Sequence, residues 1–249
     1  MWTFLHKLSS PPHFYDLAAK MIPWFAAASL LLIGYGTVAG LFFAPPDYQQ
    51  KDAFRIIYVH VPAAYLSMMA YVVMAVSAGI GLIWRMKLAH AVAAGAAPVG
   101  AWFTFLALAT GSIWGRPMWG TWWEWGDPRL TSELILLFLY FGYMALRAAI
   151  DDTARADRAS AVLALVGAVN VPIIHFSVEW WSSLHQGPTL VRAGGPAIEP
   201  VMLWPLLAMI LGFMLLFAAL LLGRVRTEVL FRERRSRWVR KLVYPEEPA

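Results

Sequence analysis

The sequence predicts an all-α integral membrane protein with six transmembrane helices, both termini cytoplasmic, and a tryptophan-rich outer loop. Three observations predict it. Of the 249 residues, 60% are hydrophobic and only 14% are charged, whereas a soluble domain carries roughly a quarter of its residues charged, so a soluble enzyme is excluded. The mean hydropathy is +0.58, and the apolar residues gather into six runs of the length that one helical crossing of a ~30 Å hydrocarbon core requires. The basic residues, finally, divide unevenly between alternate connections.

Taken in order, the first span covers about 21–43 and carries no charge after Lys20. Twenty residues that include Lys7, Asp16 and Lys20 precede it, and the run exceeds the apolar core of a signal peptide, so a retained first helix is expected. Spans at about 61–84 and 91–114 are also uncharged, 130–146 contains one acid, Glu133, near its start, and 159–178 and 201–223 complete the set. The 249 residues are expected to form one membrane domain, with outer loops at 44–60, 115–130 and 179–200 and a basic cytoplasmic tail over 224–249.

Charge decides the orientation. Fifteen of the 20 Lys and Arg residues fall on the side of the termini, eight of them between Arg224 and Lys241, while Lys51, Arg55, Arg116, Arg129 and Arg192 fall on the other. Short cytoplasmic loops carry the excess of Lys and Arg, which puts both ends inside. The net charge of +5 is thus a topology signal with no need of nucleic acid, and the tail cluster is expected to rest on anionic lipid. The chain has no cysteine, which excludes disulfides, thiolate metal sites, iron–sulfur clusters and covalent Cys-x-x-Cys-His haem attachment.

The second outer loop holds the unusual residues. Five tryptophans, Trp114, Trp119, Trp122, Trp123 and Trp125, fall within twelve positions, interleaved with Gly115, Pro117, Gly120, Gly126 and Pro128. One or two would be an interfacial belt. Five on a segment whose glycines and prolines argue against a continuous helix suit a flat aromatic platform for a planar, largely apolar ligand with a charged edge. Of six histidines, His6, His13 and His90 fall on the inner side as ordinary solvated residues, and His175, inside the fifth span, is expected to bond a neighbouring helix. Two remain outside, His60 before the second span and His185 in the third loop. Each alone reads as structural. Paired across the tryptophan loop they supply the two axial imidazoles of a six-coordinate haem iron, and the expected cofactor is haem b.

Haem propionates need cations, and Arg55, Arg116, Arg129 and Arg192 are available to clamp them. Internal pairing with Asp127, Glu133 or Glu179 competes, most of all for Arg129, which follows Asp127 by two residues and precedes Glu133 by four. No Gly-x-x-x-x-Gly-Lys-Ser/Thr loop occurs, so ATP-driven work requires another subunit. The spans carry few ionisable groups, which disfavours a self-sufficient ion-coupled pump, and no obvious polar pathway leads from the cytoplasm.

Trp119-Gly120-x-x-Trp123-x-Trp125, followed by Asp127, Arg129, Leu130 and Thr131, resembles the WWD signature of haem-handling membrane proteins. With six spans, Thr131-Ser-Glu-Leu-Ile-Leu-Leu-Phe-Leu-Tyr140 and Val178-Glu-Trp-Trp-Ser-Ser-Leu-His185-Gln, nearly the whole chain resembles the CcmC family of haem exporters in cytochrome c maturation. The resemblance implies a protein of the bacterial inner membrane. Its periplasmic platform would hold haem between His60 and His185, with Trp119, Trp122, Trp123, Trp125 and Asp127 around it. It also implies transfer of the haem to the membrane-anchored chaperone CcmE, whose covalent haem attachment it would promote, beside the ABC transporter subunits CcmA and CcmB and the small membrane protein CcmD; with no ATPase motif of its own, the chain is not expected to be an enzyme. One departure is Gly126, which separates Trp125 from Asp127 where the family pattern has the aspartate directly after the tryptophan. The competing classes are a b-type electron-transfer subunit, which would bury its histidines at mid-membrane, and a longer cytochrome c synthase with further intramembrane histidines.

Overall fold

The computed structural model describes residues 10–187, 190 and 195–244, which form eight α-helices. They are α1 (Pro11–Val38), α2 (Ile57–Trp84), α3 (Lys87–Trp119), α4 (Pro128–Ala148), α5 (Thr153–Gly167), α6 (Asn170–Trp180), α7 (Pro200–Arg232) and α8 (Arg237–Val243). A π turn, Ala39–Phe43, extends α1, and a 3₁₀ turn, Asp52–Ile56, leads into α2. Six segments are long and apolar enough to cross a membrane: Pro11–Phe43, Asp52–Trp84, Lys87–Trp119, Pro128–Ala148, Thr153–Trp180 and Pro200–Arg232.

Local chemistry sets the helix starts. Proline, preset near the helical φ and lacking the N–H that a first turn leaves unpaired, opens α1, α4 and α7. Asp127 caps α4 through the N–H groups of Arg129 and Leu130, and Asp152 caps α5 through that of Arg155. Helices α2 and α3 are joined by a two-residue turn with Arg85 left-handed at φ 55°.

In lipid no water drives helices together, so association rests on close approach and on internal polar bonds. Small residues supply the approach. Alanines such as Ala63, Ala70, Ala78, Ala93, Ala96 and Ala97 are buried between α2, α3 and their neighbours. Gly36 of α1 faces Met209 of α7, and Gly212 of α7 faces Ile33 of α1. The Tyr140 ring of α4 lies over Gly100 of α3, where a Cβ would stand 2.2 Å from its hydroxyl, and that hydroxyl donates to the Ser67 carbonyl of α2 at 2.8 Å.

Several features differ from the sequence reading, beginning with α1, which starts at Pro11, ten residues before the expected span. The third helix does not stop near Trp114 but runs five residues further, through Pro117, to Trp119, where Gly120 takes a left-handed cap at φ 79°. The fifth span is two helices. Pro172, lacking an N–H, sits in the first turn of α6, where its missing bond costs nothing, and Ala168 and Val169 form the break between α5 and α6. The Asn170 side chain then donates across to the Ser132 carbonyl at 2.9 Å. The last apolar helix continues to Arg232, because Arg232 and Arg147 are not solvated but meet Asp157 and Glu228 in one cluster joining α4, α5 and α7. His90, expected to be solvated, is 9% exposed, its ring filling the space left by Gly81. Its counterpart His13 is exposed, and His6 lies outside the described residues.

The start of α1 meets the C-terminal end of the chain, with Tyr15 packed against Trp238 at 5.6 Å and under the Arg226 guanidinium at 4.1 Å. The connections carrying Gln50, Trp122 and His185 gather at the opposite end of the bundle, the loop end.

Candidate functional site

At the loop end α2 carries His60 and the segment after α6 carries His185, and both side chains line one small cavity with Arg129, Glu133, Gly111 and Ile174. His60 is not in a loop. Helix α2 begins at Ile57, so the imidazole is set on a rigid element, with Nδ1 3.1 Å from the Ala107 carbonyl and 3.0 Å from Thr110 Oγ1 of α3. His185 is held differently. Its ring stands edge-on to Trp119 at 5.0 Å and tilted to Trp114 at 6.3 Å, and its Nδ1 is 3.8 Å from Asp127 Oδ1, beyond hydrogen-bonding reach.

Asp127 ties the cluster together. Its Oδ1 accepts from the backbone N–H groups of Arg129 and Leu130, each at 3.0 Å, and its Oδ2 accepts from Ser183 Oγ and the Leu184 N–H, each at 2.8 Å. One carboxylate therefore caps α4 and fixes the segment bearing His185. Burial pushes the Asp127 carboxyl up, but the nearby His185 imidazole and the donors from Leu130, Ser183 and Leu184 outweigh it and hold the group well below the usual carboxylate range. Gly126, the residue that departs from the family pattern, sits in a turn where the Asp127 N–H donates to the Glu124 carbonyl. It has no positive φ.

The tryptophans divide into two sets. Trp114 donates from Nε1 to Gln50 Oε1 at 2.9 Å and stands edge-on to Trp119 at 4.9 Å, so the first loop is linked through Trp114 and Trp119 to His185. Trp123 packs against the core and meets Trp125 at 5.5 Å. Trp122 and Trp125 face outward, 58% and 73% exposed.

The arginines also separate. Arg55 donates to the Gly40 carbonyl at 2.8 Å and pairs with Asp52 at 3.0 Å, and Arg116 folds over the Gly120 carbonyl. Arg192 lies outside the described residues. Arg129, expected to pair internally, has no carboxylate within 4.0 Å among the described residues, because Asp127 spends its oxygens on four other donors. Among the described residues His175 likewise makes no bond to a neighbouring helix. It is exposed and stands edge-on to Phe176 at 4.7 Å.

The cavity between the two histidines measures about 30 Å³, room for about one water molecule. A porphyrin does not fit between the rings as they stand. A wider cavity of about 880 Å³ lies beside that segment, lined by Tyr48, Gln50, Phe54, Gln186 and Met202, within the size range of ligand pockets. Trp123 Nε1, Glu133 Oε1 and His185 Nδ1 are buried without hydrogen-bond partners among the described residues. Unmatched polar atoms are otherwise rare in a folded interior, and two of these three can donate to the acceptor oxygens of a carboxylate-bearing ligand. The sequence reading missed Gln50, Thr110 and Ser183. Nothing in their spacing marks them, since each acts through a residue more than 45 positions away.

Residues 4–240 match the profile of the family described as CcmC, heme exporter protein C. The chain is 54% identical over 243 residues to a protein of Escherichia coli strain K12 named heme exporter protein C, covering 98% of each chain. Proteins of the same name from Haemophilus influenzae (48% over 242 residues, 97% of this chain and 98% of that one) and Bradyrhizobium diazoefficiens (52% over 232 residues, 93% and 88%) are similar in extent.

Proposed function

The chain belongs to the heme exporter protein C family, and from that premise we propose that it is a multi-pass membrane protein of haem export. It would bind haem b at its loop end and deliver it to the membrane-anchored chaperone CcmE during c-type cytochrome maturation. The loop end is periplasmic in this reading, the bilayer is the bacterial inner membrane, and the ABC transporter subunits CcmA and CcmB with the small protein CcmD complete the system.

The observation that carries the proposal is the convergence of His60 and His185, 125 positions apart in the sequence, on one cavity beside the tryptophan loop. The two imidazoles are the iron ligands, and iron held this way is the chemistry the cargo brings. The protein does the rest. Trp119 backs His185, and Trp122, Trp123 and Trp125 offer apolar surface to the ring. Arg129, without an ion pair among the described residues and lining the cavity, is the best-placed guanidinium for a propionate, ahead of Arg55 and Arg116. Asp127 serves by holding the His185 segment. Delivery requires one imidazole to let go. The outward position of His175 removes it from any histidine pair inside the bundle, which favours the export reading over a b-type electron-transfer subunit.

Co-expression with the candidate chaperone, scoring covalent haem on it, tests the proposal. Intact protein should load the chaperone, and His60→Ala and His185→Ala should each change the visible haem spectrum and abolish loading. Unchanged spectra in both variants would refute the ligand assignment.

A further inference from the structure

We propose that Thr110, with the Ala107 carbonyl, holds His60 in the tautomer whose Nε2 lone pair faces iron, which makes Thr110 a positioning residue of the haem site. The inference rests on the haem reading above and deepens it.

The donors and acceptors around Nδ1 leave one arrangement. The Ala107 carbonyl oxygen, 3.1 Å away, can only accept, so Nδ1 must bring the hydrogen. Thr110 Oγ1, 3.0 Å away, has its own hydrogen committed to the Leu106 carbonyl at 2.7 Å, so it presents a lone pair to the ring as well. Both neighbours therefore demand Nδ1–H. A neutral imidazole has one ring hydrogen, which leaves Nε2 bare, as a metal ligand requires.

The local sequence is built for this contact. Leu106, Ala107 and Thr110 stand at i−4, i−3 and i of one helix face. Threonine's branched Cβ restricts its rotamers, and bonding back to the i−4 carbonyl holds the hydroxyl in place. Gly111 follows, and a Cβ there would lie 3.2 Å from His60 Cε1, so its absence lets the ring sit close to α3. Among the described residues His185 has nothing comparable, since its buried Nδ1 has no hydrogen-bond partner there. The arrangement at His60 matches what is general for metal-bound histidines, whose second nitrogen donates to a fixed acceptor that orients the ring and raises its basicity.

The test titrates ferric haem into the purified full-length protein in detergent, comparing the unsubstituted chain with Thr110→Val, Thr110→Ser and His60→Ala. Valine keeps the shape of threonine and removes the acceptor. Thr110→Val should weaken haem binding by about tenfold, the lower end of the range for such partners, because the Ala107 carbonyl still accepts. Its midpoint potential should also rise, since a less basic imidazole favours ferric iron less. Thr110→Ser, which restores the hydroxyl, should return both quantities toward those of the unsubstituted protein. A purely structural role would not move the potential in this way. Nitrogen-15 spectra of histidine-labelled, haem-free protein supply an independent readout, with His60 protonated on Nδ1 and bare on Nε2.

A His60 protonated on Nε2 would overturn the proposal. So would a Thr110→Val protein equal to the unsubstituted one in affinity and potential while His60→Ala loses haem, an outcome that leaves the haem site itself intact. If His60→Ala binds haem unchanged, the site reading fails and this inference falls with it.

Discussion

Replacing Asp127 by Asn separates its two jobs. Asparagine caps helices as well as aspartate does, so Oδ1 can keep the N–H groups of Arg129 and Leu130 and α4 should start unchanged. The other atom becomes an NH2 facing Ser183 and the Leu184 N–H, which both donate to Oδ2 in the native protein at 2.8 Å. Ser183 can turn its hydroxyl to accept, but the Leu184 N–H is left against another donor. A lost bond to a charged group costs about 1.5–3 kcal/mol, and the carboxylate is 1% exposed, so solvent does not make up the loss. Asp127→Asn should therefore destabilise by about 2 kcal/mol and free the His185 segment, whereas Asp127→Ala also loses the cap, adding about 1 kcal/mol. The assay is thermal unfolding in detergent followed by tryptophan fluorescence, with haem retention measured alongside. The pH dependence follows from the depressed carboxyl. A folded-state value below the unfolded one means a contribution that is complete above about pH 4 and lost as pH falls toward the folded value. The gap between the native protein and Asp127→Asn should then be constant from pH 8 to about 5 and close only in stronger acid. An Asp127→Asn protein as stable as the native one, or one that keeps haem while Asp127→Ala loses it, would refute the reasoning.

The other predictions concern packing, charge and ligand exchange. Gly111→Ala places a Cβ 3.2 Å from His60 Cε1. It should lower haem affinity with little change in melting, as a haem titration beside a melting curve would show. Gly100→Ala puts a Cβ 2.2 Å from the Tyr140 hydroxyl, so α3 and α4 must part and stability should fall by about 1–3 kcal/mol, measurable by thermal unfolding. Arg232→Met removes both bonds to Asp157, at 2.7 and 2.8 Å, and leaves that buried carboxylate with Arg147 alone. The expected cost is about 3 kcal/mol, and a double-mutant cycle with Asp157→Leu should show coupling between the two sites. Added imidazole should displace His185 from haem before His60, because among the described residues only the His60 ring is held by hydrogen bonds. Imidazole titration of the visible spectrum should therefore carry the native protein to the spectrum that His185→Ala gives with imidazole added.

Hydropathy located all six spans because burial in lipid is a property of composition, which survives without coordinates. Helix ends were less legible, since a helix stops where its backbone loses partners and not where lipid stops. Arg116 to Trp119, with its arginine and proline, and Arg224 to Arg232, with three arginines, fall outside the uncharged runs that hydropathy marks, yet both stretches are helical. The break at Ala168 and Val169 did leave a mark in Pro172, but within a run of apolar residues a proline in a first turn and a proline in a kinked helix look alike.

The site divides the same way. Histidine and tryptophan announce themselves by rarity, so His60, His185 and the Trp114 to Trp125 cluster, which the structure gathers at one end of the bundle, could be singled out in the sequence. What holds them was not. Gln50 reaches Trp114 across 64 positions, Asp127 reaches Ser183 across 56, and Thr110 reaches His60 across 50, and no periodicity relates such pairs. The arginines make the point most sharply. Spacing alone argued that Arg129 should pair with Asp127 or Glu133, since residues two and four apart are near. Asp127 has its oxygens taken by α4 and by the His185 segment, whereas Glu133 Oε1 has no partner among the described residues, so nearness in sequence becomes an ion pair with neither acid. In the proposed site, the residue that holds the His185 segment thereby also keeps its own oxygens from the Arg129 guanidinium.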